Sequence, residues 1–265
     1  MKIKTALSIA GSDCSGGAGI QADLKTFSAN GVFGMSVVTS VVAENTVRVI
    51  SVQNIDPKVI KEQIDAVFED IVPDAVKVGM LNDTATMNAV AEKLCEYKPK
   101  LTVVDPVMIA KGGHALMQED ALHTLKTRII PLAYVLTPNI PEAEAICGAE
   151  IGSIDDMKEA CRYIHSLGAD NVLVKGGHMT GDAIDVLFDG NKYSTFSSER
   201  IDTKNTHGTG CTFSSAIAAN LAKGMNAVAA VANAKKYVTN AIRYSLELGH
   251  GHGPTNHFYQ LYERN

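Results

Sequence analysis

Asn205-Thr206-His207-Gly208-Thr209-Gly210-Cys211-Thr212 runs directly into the apolar positions Phe213, Ile217 and Leu221. Two glycines two apart, followed by a helical period, spell a tight turn that opens a helix. The N–H groups of such a turn, together with the positive end of the helix dipole, form a cradle for an anion. The same field favours thiolate over thiol, so Cys211 is expected beside a bound phosphate and acidified. A phosphate cradle with a base at its edge points to phosphoryl transfer.

Upstream of that turn, short apolar runs alternate with longer helical stretches. The runs 6–10, 36–42, 75–78, 101–104, 134–136 and 172–174 read as strands. Most are continuously apolar, as expected when both faces of a parallel sheet are covered. Between them, 18–30, 58–69, 84–97, 120–129 and 154–166 read as helices, the last starting after Ser153 with Asp155 and Asp156 in its first turn. This alternation implies right-handed βαβ units in a doubly wound sheet. Segments 183–188 and 193–196 flank Asp189-Gly190-Asn191, which reads as a hairpin and gives the sheet an antiparallel edge. Two closing helices are expected over 212–223 and 226–246.

The chain has 265 residues, 46% of them hydrophobic, enough to bury a large core in a single domain spanning 1–265. No repeat and no Pro- or Ser-rich linker divides it. A net charge of −5 with both signs mixed argues against partners recruited by bulk charge, whether nucleic acid or membrane surface. Five scattered cysteines without a CxxC pair suit reduced thiols in the cytoplasm better than a disulfide framework or a zinc site. The apolar stretch near Met1 is too short for a signal segment, and no run approaches membrane-spanning length.

Ligands of open α/β sheets bind beyond the carboxyl ends of the strands, and the polar and glycine-rich motifs cluster there. Gly11-Ser12-Asp13-Cys14-Ser15-Gly16-Gly17-Ala18-Gly19 ends the first strand without the spacing of a Walker loop. It reads as a pocket wall with Asp23 one helical turn on, or as a tight turn alone. Asp105, before Pro106, suits Mg²⁺ as a hard oxygen ligand, or a turn cap. Asn139 and Glu142 follow the next strand as partners of the metal or its waters, the alternative for Asn139 being a helix cap. Lys175 ends 172–174 and can reach phosphate oxygens, or lie exposed beside Gly176-Gly177. His207 near Cys211 admits a Cys–His nucleophilic pair. The three histidines of Gly249-His250-Gly251-His252-Gly253-Pro254-Thr255-Asn256-His257 read as a terminal loop packed on the domain.

Taken in order, Ala10-Gly11-Ser12-Asp13, Gly17–Asp23, Val78-Gly79-Met80-Leu81, Val104-Asp105-Pro106-Val107-Met108, Leu136-Thr137-Pro138-Asn139, Val174-Lys175-Gly176-Gly177-His178, Thr206–Thr212 and the histidine tail cover nearly the whole chain. Together they resemble the ribokinase superfamily and, within it, the hydroxymethylpyrimidine/phosphomethylpyrimidine kinases of thiamine biosynthesis. The resemblance implies a three-layer αβα sandwich and two successive ATP-dependent phosphorylations: of 4-amino-5-hydroxymethyl-2-methylpyrimidine, then of its monophosphate. It implies a homodimer, an anion hole at Gly208–Cys211, and Cys211 where sugar kinases of the superfamily carry an aspartate base. It further implies that Gly208, Thr209 and Gly210 offer N–H groups to the γ-phosphate, that Asp105 and Glu142 hold Mg²⁺ with Asn139 nearby, and that Lys175 adds positive charge. The pyrimidine falls to Asp23 and Glu44, with Gly11, Ala18, Met80 and Val107 around it. The family has glutamine at the place of Glu44; a carboxylate accepts from an exocyclic amine but donates to a ring nitrogen only when protonated. The glycines of Lys111-Gly112-Gly113-His114 suit a hinge that admits both acceptors. Rival readings are a pyridoxine/pyridoxal kinase of the same superfamily, a thiol hydrolase built on Cys211 and His207, and a non-catalytic binding protein.

Overall fold

The computed structural model of the chain describes residues 3–108, 119–177 and 182–262; the segment Lys111–His114, expected to hinge, lies outside them, as does His178. Its elements are β1 (Lys4–Ala10), α1 (Gly19–Ala29), β2 (Val32–Val38), β3 (Ser40–Glu44), β4 (Val49–Asn54), α2 (Pro57–Phe68), β5 (Ala75–Val78), α3 (Thr84–Tyr97), β6 (Thr102–Val104), α4 (Glu119–Thr124), β7 (Val135–Leu136), α5 (Ile140–Cys147), α6 (Ile154–Ser166), β8 (Asn171–Val174), β9 (Ala183–Phe188), β10 (Tyr193–Ser198), α7 (Thr209–Ala222) and α8 (Ala227–Arg243). One sheet has the order β10-β9-β8-β7-β6-β5-β1-β2. It is parallel from β2 to β8, and β9 and β10 close it as the expected antiparallel edge.

The continuously apolar strands are explained by helices on both faces. Leu7, Val76, Val104, Leu136 and Val172 pack into one core with Ile60, Ile64, Met87, Ile146, Met157 and Ile164 of α2, α3, α5 and α6. Their neighbours Ala6, Ala75, Val103, Val135 and Leu173 point the other way, against Phe27 of α1 and the buried faces of α7 and α8. The result is the three-layer αβα sandwich. Helix starts follow local chemistry: the Asp83 side chain accepts from the Thr86 N–H, and Ser153 accepts from Asp156.

Five elements differ from the sequence expectation. The strand expected over 36–42 is two strands, because the chain turns at Thr39, whose N–H reaches the Ala10 carbonyl while its carbonyl takes the Ile55 N–H. Beyond the turn, β3 leaves the main sheet and pairs with β4 as a separate ribbon. All of β4 is exposed, so it carries no burial pattern in sequence. The helix expected over 120–129 is α-helical only to Thr124; one π turn (Leu125–Ile129) and a 3-10 turn (Ile130–Leu132) follow, where Pro131 cannot donate to a continuing ladder. The helix expected from 212 begins at Thr209, and the last helix stops at Arg243, after which the Leu246 N–H turns to Pro254 in the tail.

Ile64 is wholly buried between α2 and the sheet. Ile64→Ala is therefore expected to destabilise the fold by about 2–5 kcal/mol, read as a lowered denaturation midpoint at unchanged slope.

Candidate active site

Side chains alternate along a strand, so the row facing α7 can be followed to the carboxyl end of each strand. Ala6 leads to Ser8, Ala75 to Lys77, Val103 to Asp105, Val135 to Thr137 and Leu173 to Lys175. The row changes from apolar to polar where the sheet ends, and a cleft of about 810 Å³ opens there. Gly11, Ala18, Glu44, Met80, Asp105, Val107, Asn139, Glu142, Lys175, Gly208, Thr209, Gly210 and Cys211 all line it.

Gly208 caps α7 with φ +78, and a Cβ there would overlap the Gly17 carbonyl oxygen. Only glycine combines that left-handed backbone with so close an approach. The Thr209 N–H is taken by Thr206 and the Thr212 N–H by the Gly208 carbonyl. Among the described residues no carbonyl takes the N–H groups of Gly208, Gly210 and Cys211. These, rather than that of Thr209, are the donors the turn holds open to an anion.

Asp13 locks this turn to the first glycine loop. Its carboxylate accepts from the N–H groups of Ser15, Gly17 and Ala18, from Ser15 Oγ, and from His207 Nε2 at 2.9 Å. Burial works against the charge, but these donors overcome it and hold the Asp13 carboxyl far below the carboxylate range. A ligand atom of Glu44 lies within 4.8 Å of those of Asp13 and His207. His207 is thus committed to Asp13 in a structural clamp, which removes the partner that a Cys–His nucleophile would need.

Across the cleft, Asp105 Oδ1 accepts from Lys175 Nζ at 2.7 Å and from Thr137 Oγ1 at 3.0 Å. Burial would raise the Asp105 carboxyl; the charges of Lys175 and Lys77 outweigh it and hold the group ionised below its ordinary range. Burial likewise opposes the Lys175 charge, yet Asp105 and Glu142 raise it. Asn139 and Glu142 form a capping box on α5: Asn139 Oδ1 accepts from the Glu142 N–H, and Glu142 Oε2 from the Asn139 N–H at 2.8 Å. Both nevertheless border the cleft, and burial, only partly offset by Lys175, pushes Glu142 up to about 7.

Two expectations are corrected. Asp23 does not face the cleft; it is wholly buried beneath it, bonded to Lys77, Ser8 and Ser215. A carboxylate with that many internal donors is turned inward rather than toward a ligand. Cys211 is at the predicted place, but its thiol is not acidified: burial pushes it up to about 11, the nearby Lys77 charge opposes this, and Asp23 and Asp105 add to it. Desolvation outweighs the helix dipole. Lys77 stands outside the set expected from sequence, although a lysine inside the apolar run Ala75-Val76-Lys77-Val78 is a visible signal. Asp185 and Lys235, paired at 2.7 Å on the far wall, were not expected either.

Residues 13–256 match the family described as phosphomethylpyrimidine kinase. The thiamine biosynthesis bifunctional protein of Geobacter sulfurreducens is 54% identical over 252 residues, covering 95% of this chain and 51% of the relative, so the chain spans about half that protein's length. The hydroxymethylpyrimidine/phosphomethylpyrimidine kinase of Bacillus subtilis is 48% identical over 260 residues, covering 97% of this chain and 96% of the relative. A solved ADP complex of Bacillus subtilis pyridoxal kinase matches with a TM-score of 0.92 at 42% identity, covering 98% and 99% of the two chains. Phosphomethylpyrimidine kinase from Clostridium difficile matches with a TM-score of 0.82 at 49% identity, covering 91% and 100%. Likeness of sequence over nearly the full length and likeness of fold converge on one answer: the chain belongs to the phosphomethylpyrimidine kinase family.

Proposed function

We propose that this chain, as a single kinase domain, transfers the terminal phosphoryl group of ATP to the hydroxymethyl group of 4-amino-5-hydroxymethyl-2-methylpyrimidine, and then phosphorylates the monophosphate to the pyrophosphate. The observation that carries the reading is the turn Gly208–Cys211, whose open N–H groups share one cleft with Asp105 and Lys175. Phosphoryl transfer needs positioning and charge neutralisation more than covalent help. The N–H groups of Gly210 and Cys211 grip the transferred group, and Lys175 neutralises charge beside it. Glu142 is a buried carboxylate whose charge Lys175 only partly compensates, and among the described residues Asp105 Oδ2 accepts a single long contact of 3.5 Å from Ser214 Oγ. That donor set fits a hard divalent cation, so Mg²⁺ would be held by Asp105 and Glu142, where it would neutralise phosphate charge. As the acceptor oxygen bonds to phosphorus, the bridging P–O bond breaks with its electron pair going to ADP; Cys211, having first released its own thiol proton to solvent through the cleft it lines, takes the hydroxyl proton on the thiolate sulfur.

The acceptor lies in the same cleft with its hydroxyl toward Cys211, between Glu44, Met80, Val107 and the Gly11 and Ala18 backbone. Pyridoxal is the second acceptor worth testing, because a pyridoxal kinase matches the fold with a TM-score of 0.92. A second copy of this chain is proposed to cover the β3–β4 ribbon, where Val41 and Ile50 are 51% and 63% exposed; a monomer in sedimentation would refute this. The five cysteines are unpaired and no described helix is long and apolar enough to cross a membrane, which supports a cytoplasmic location.

Incubation with the pyrimidine and magnesium-ATP is expected to yield singly and then doubly phosphorylated product by mass analysis, with pyridoxal consumed more slowly; no phosphorylated pyrimidine would refute the reading. Cys211→Ala should lower kcat by about 100-fold or more while the KM for ATP changes little; near-normal turnover would remove Cys211 from the chemistry. Glu142→Gln preserves a capping-box residue, so the melting temperature should hold while the magnesium concentration for half-maximal rate rises several-fold; an unchanged magnesium dependence would leave Glu142 as a cap alone. Glu44→Gln should change the KM for the pyrimidine and leave that for ATP in place.

A further inference from the structure

We propose that Lys77 is a positioning residue for this reaction: a fixed cation beneath the first turn of α7 that stabilises the sulfur anion through which Cys211 takes the acceptor's proton. The inference rests on the reading of Cys211 as proton acceptor. Lys77 is wholly buried in the middle of β5 yet borders the cleft. Its Nζ lies 3.0 and 2.8 Å from the two oxygens of Asp23. Asp23 also accepts from Ser8 Oγ at 2.6 Å and Ser215 Oγ at 2.7 Å. Ser8 is the register partner of Lys77 across β1 and β5. Ser215 stands four residues after Cys211 on α7, and residues at that spacing share one helix face. The cluster is therefore anchored under the face that carries Cys211.

The ammonium is also directed. A Cβ at Gly79 would fall 2.6 Å from Lys77 Nζ, so the bare backbone just beyond β5 leaves space for the charged end of a residue that itself lines the cleft. An ammonium has three donors, and the two Asp23 contacts do not use them all. A pair serving stability alone has no need of this position, since apolar residues of similar volume do as well in a core. The charged groups facing Cys211 are Lys77 from β5, Asp23 from α1, Asp105 beyond β6 and Lys175 beyond β8, and the Gly19 N–H also reaches it. Burial and the two carboxylates disfavour the anion; among the causes acting on the thiol, Lys77 is the main one in its favour.

The test is the rate at which iodoacetamide alkylates Cys211 in the full chain without nucleotide, read peptide by peptide between about pH 7 and pH 10, because only the thiolate reacts. The exposed Cys14 is the internal reference. Lys77→Met should slow Cys211 about tenfold at a given pH, the effect of about one unit in its acidity. Asp23→Asn should accelerate it, and the double variant should fall between the two. The kcat of Lys77→Met should fall with the alkylation rate while the KM for ATP stays within about twofold. A merely structural role moves both single variants in the same direction or neither, and either result overturns the proposal. If Lys77→Met does not fold, the comparison of Asp23→Asn with the double variant isolates Lys77 and must show the same slowing. Normal turnover of Cys211→Ala would refute the proton-acceptor reading, while the alkylation order separately reports the Lys77 field.

Discussion

Strand alternation is the constraint on which this molecule depends. Each parallel strand presents one row of side chains to α2–α6 and the other to α1, α7 and α8. A sheet buried on both faces tolerates polar groups only where the burial ends or where partners are supplied. Asp105, Thr137 and Lys175 stand just beyond the last apolar residue of the row facing α7, and they partner one another. The same geometry that completes the core therefore delivers the chemistry to one rim, opposite the glycine turn that opens α7. Lys77 and Ser8 lie one step deeper and survive because Asp23 and Ser215 meet them there.

The charges of the rim are tuned by burial more than by distance. Lys77 and Lys175 are both held charged against desolvation, and Asp13 and Asp105 both stay ionised. Glu142 and Cys211 are raised, to about 7 and about 11, and burial raises Asp185 on the cleft wall as well. For the first two, a lysine opposes the effect of burial without overcoming it: Lys175 for Glu142 and Lys77 for Cys211. The helix N-terminus beside Cys211 gives a favourable field, but a field of partial charges does not offset the loss of water around a sulfur anion.

Much of this was visible in the sequence because it is encoded locally. Gly208 and Gly17 mark a close approach that no larger residue permits, and Asp105 and Lys175 follow apolar runs that end abruptly. What was not visible is encoded by pairing at a distance. Asp23 sits one turn past a glycine loop, a position equally suited to a ligand; Lys77, 54 residues away, decides that it points inward. The direction of the Cys211 shift depends on how deeply several separate segments bury it. The ribbon strand β4 escaped notice for the opposite reason, since a strand exposed along its whole length has no alternation to read.

The clamp between Asp13 and His207 joins residues 194 apart. Loop-closure entropy must be overcome before such a contact forms, and contacts of high sequence separation slow folding. A nascent chain emerging from the ribosome thus has its first glycine loop long before it has the turn that completes it. The part of the cleft wall that these two loops build together is therefore completed only once residue 207 has been made.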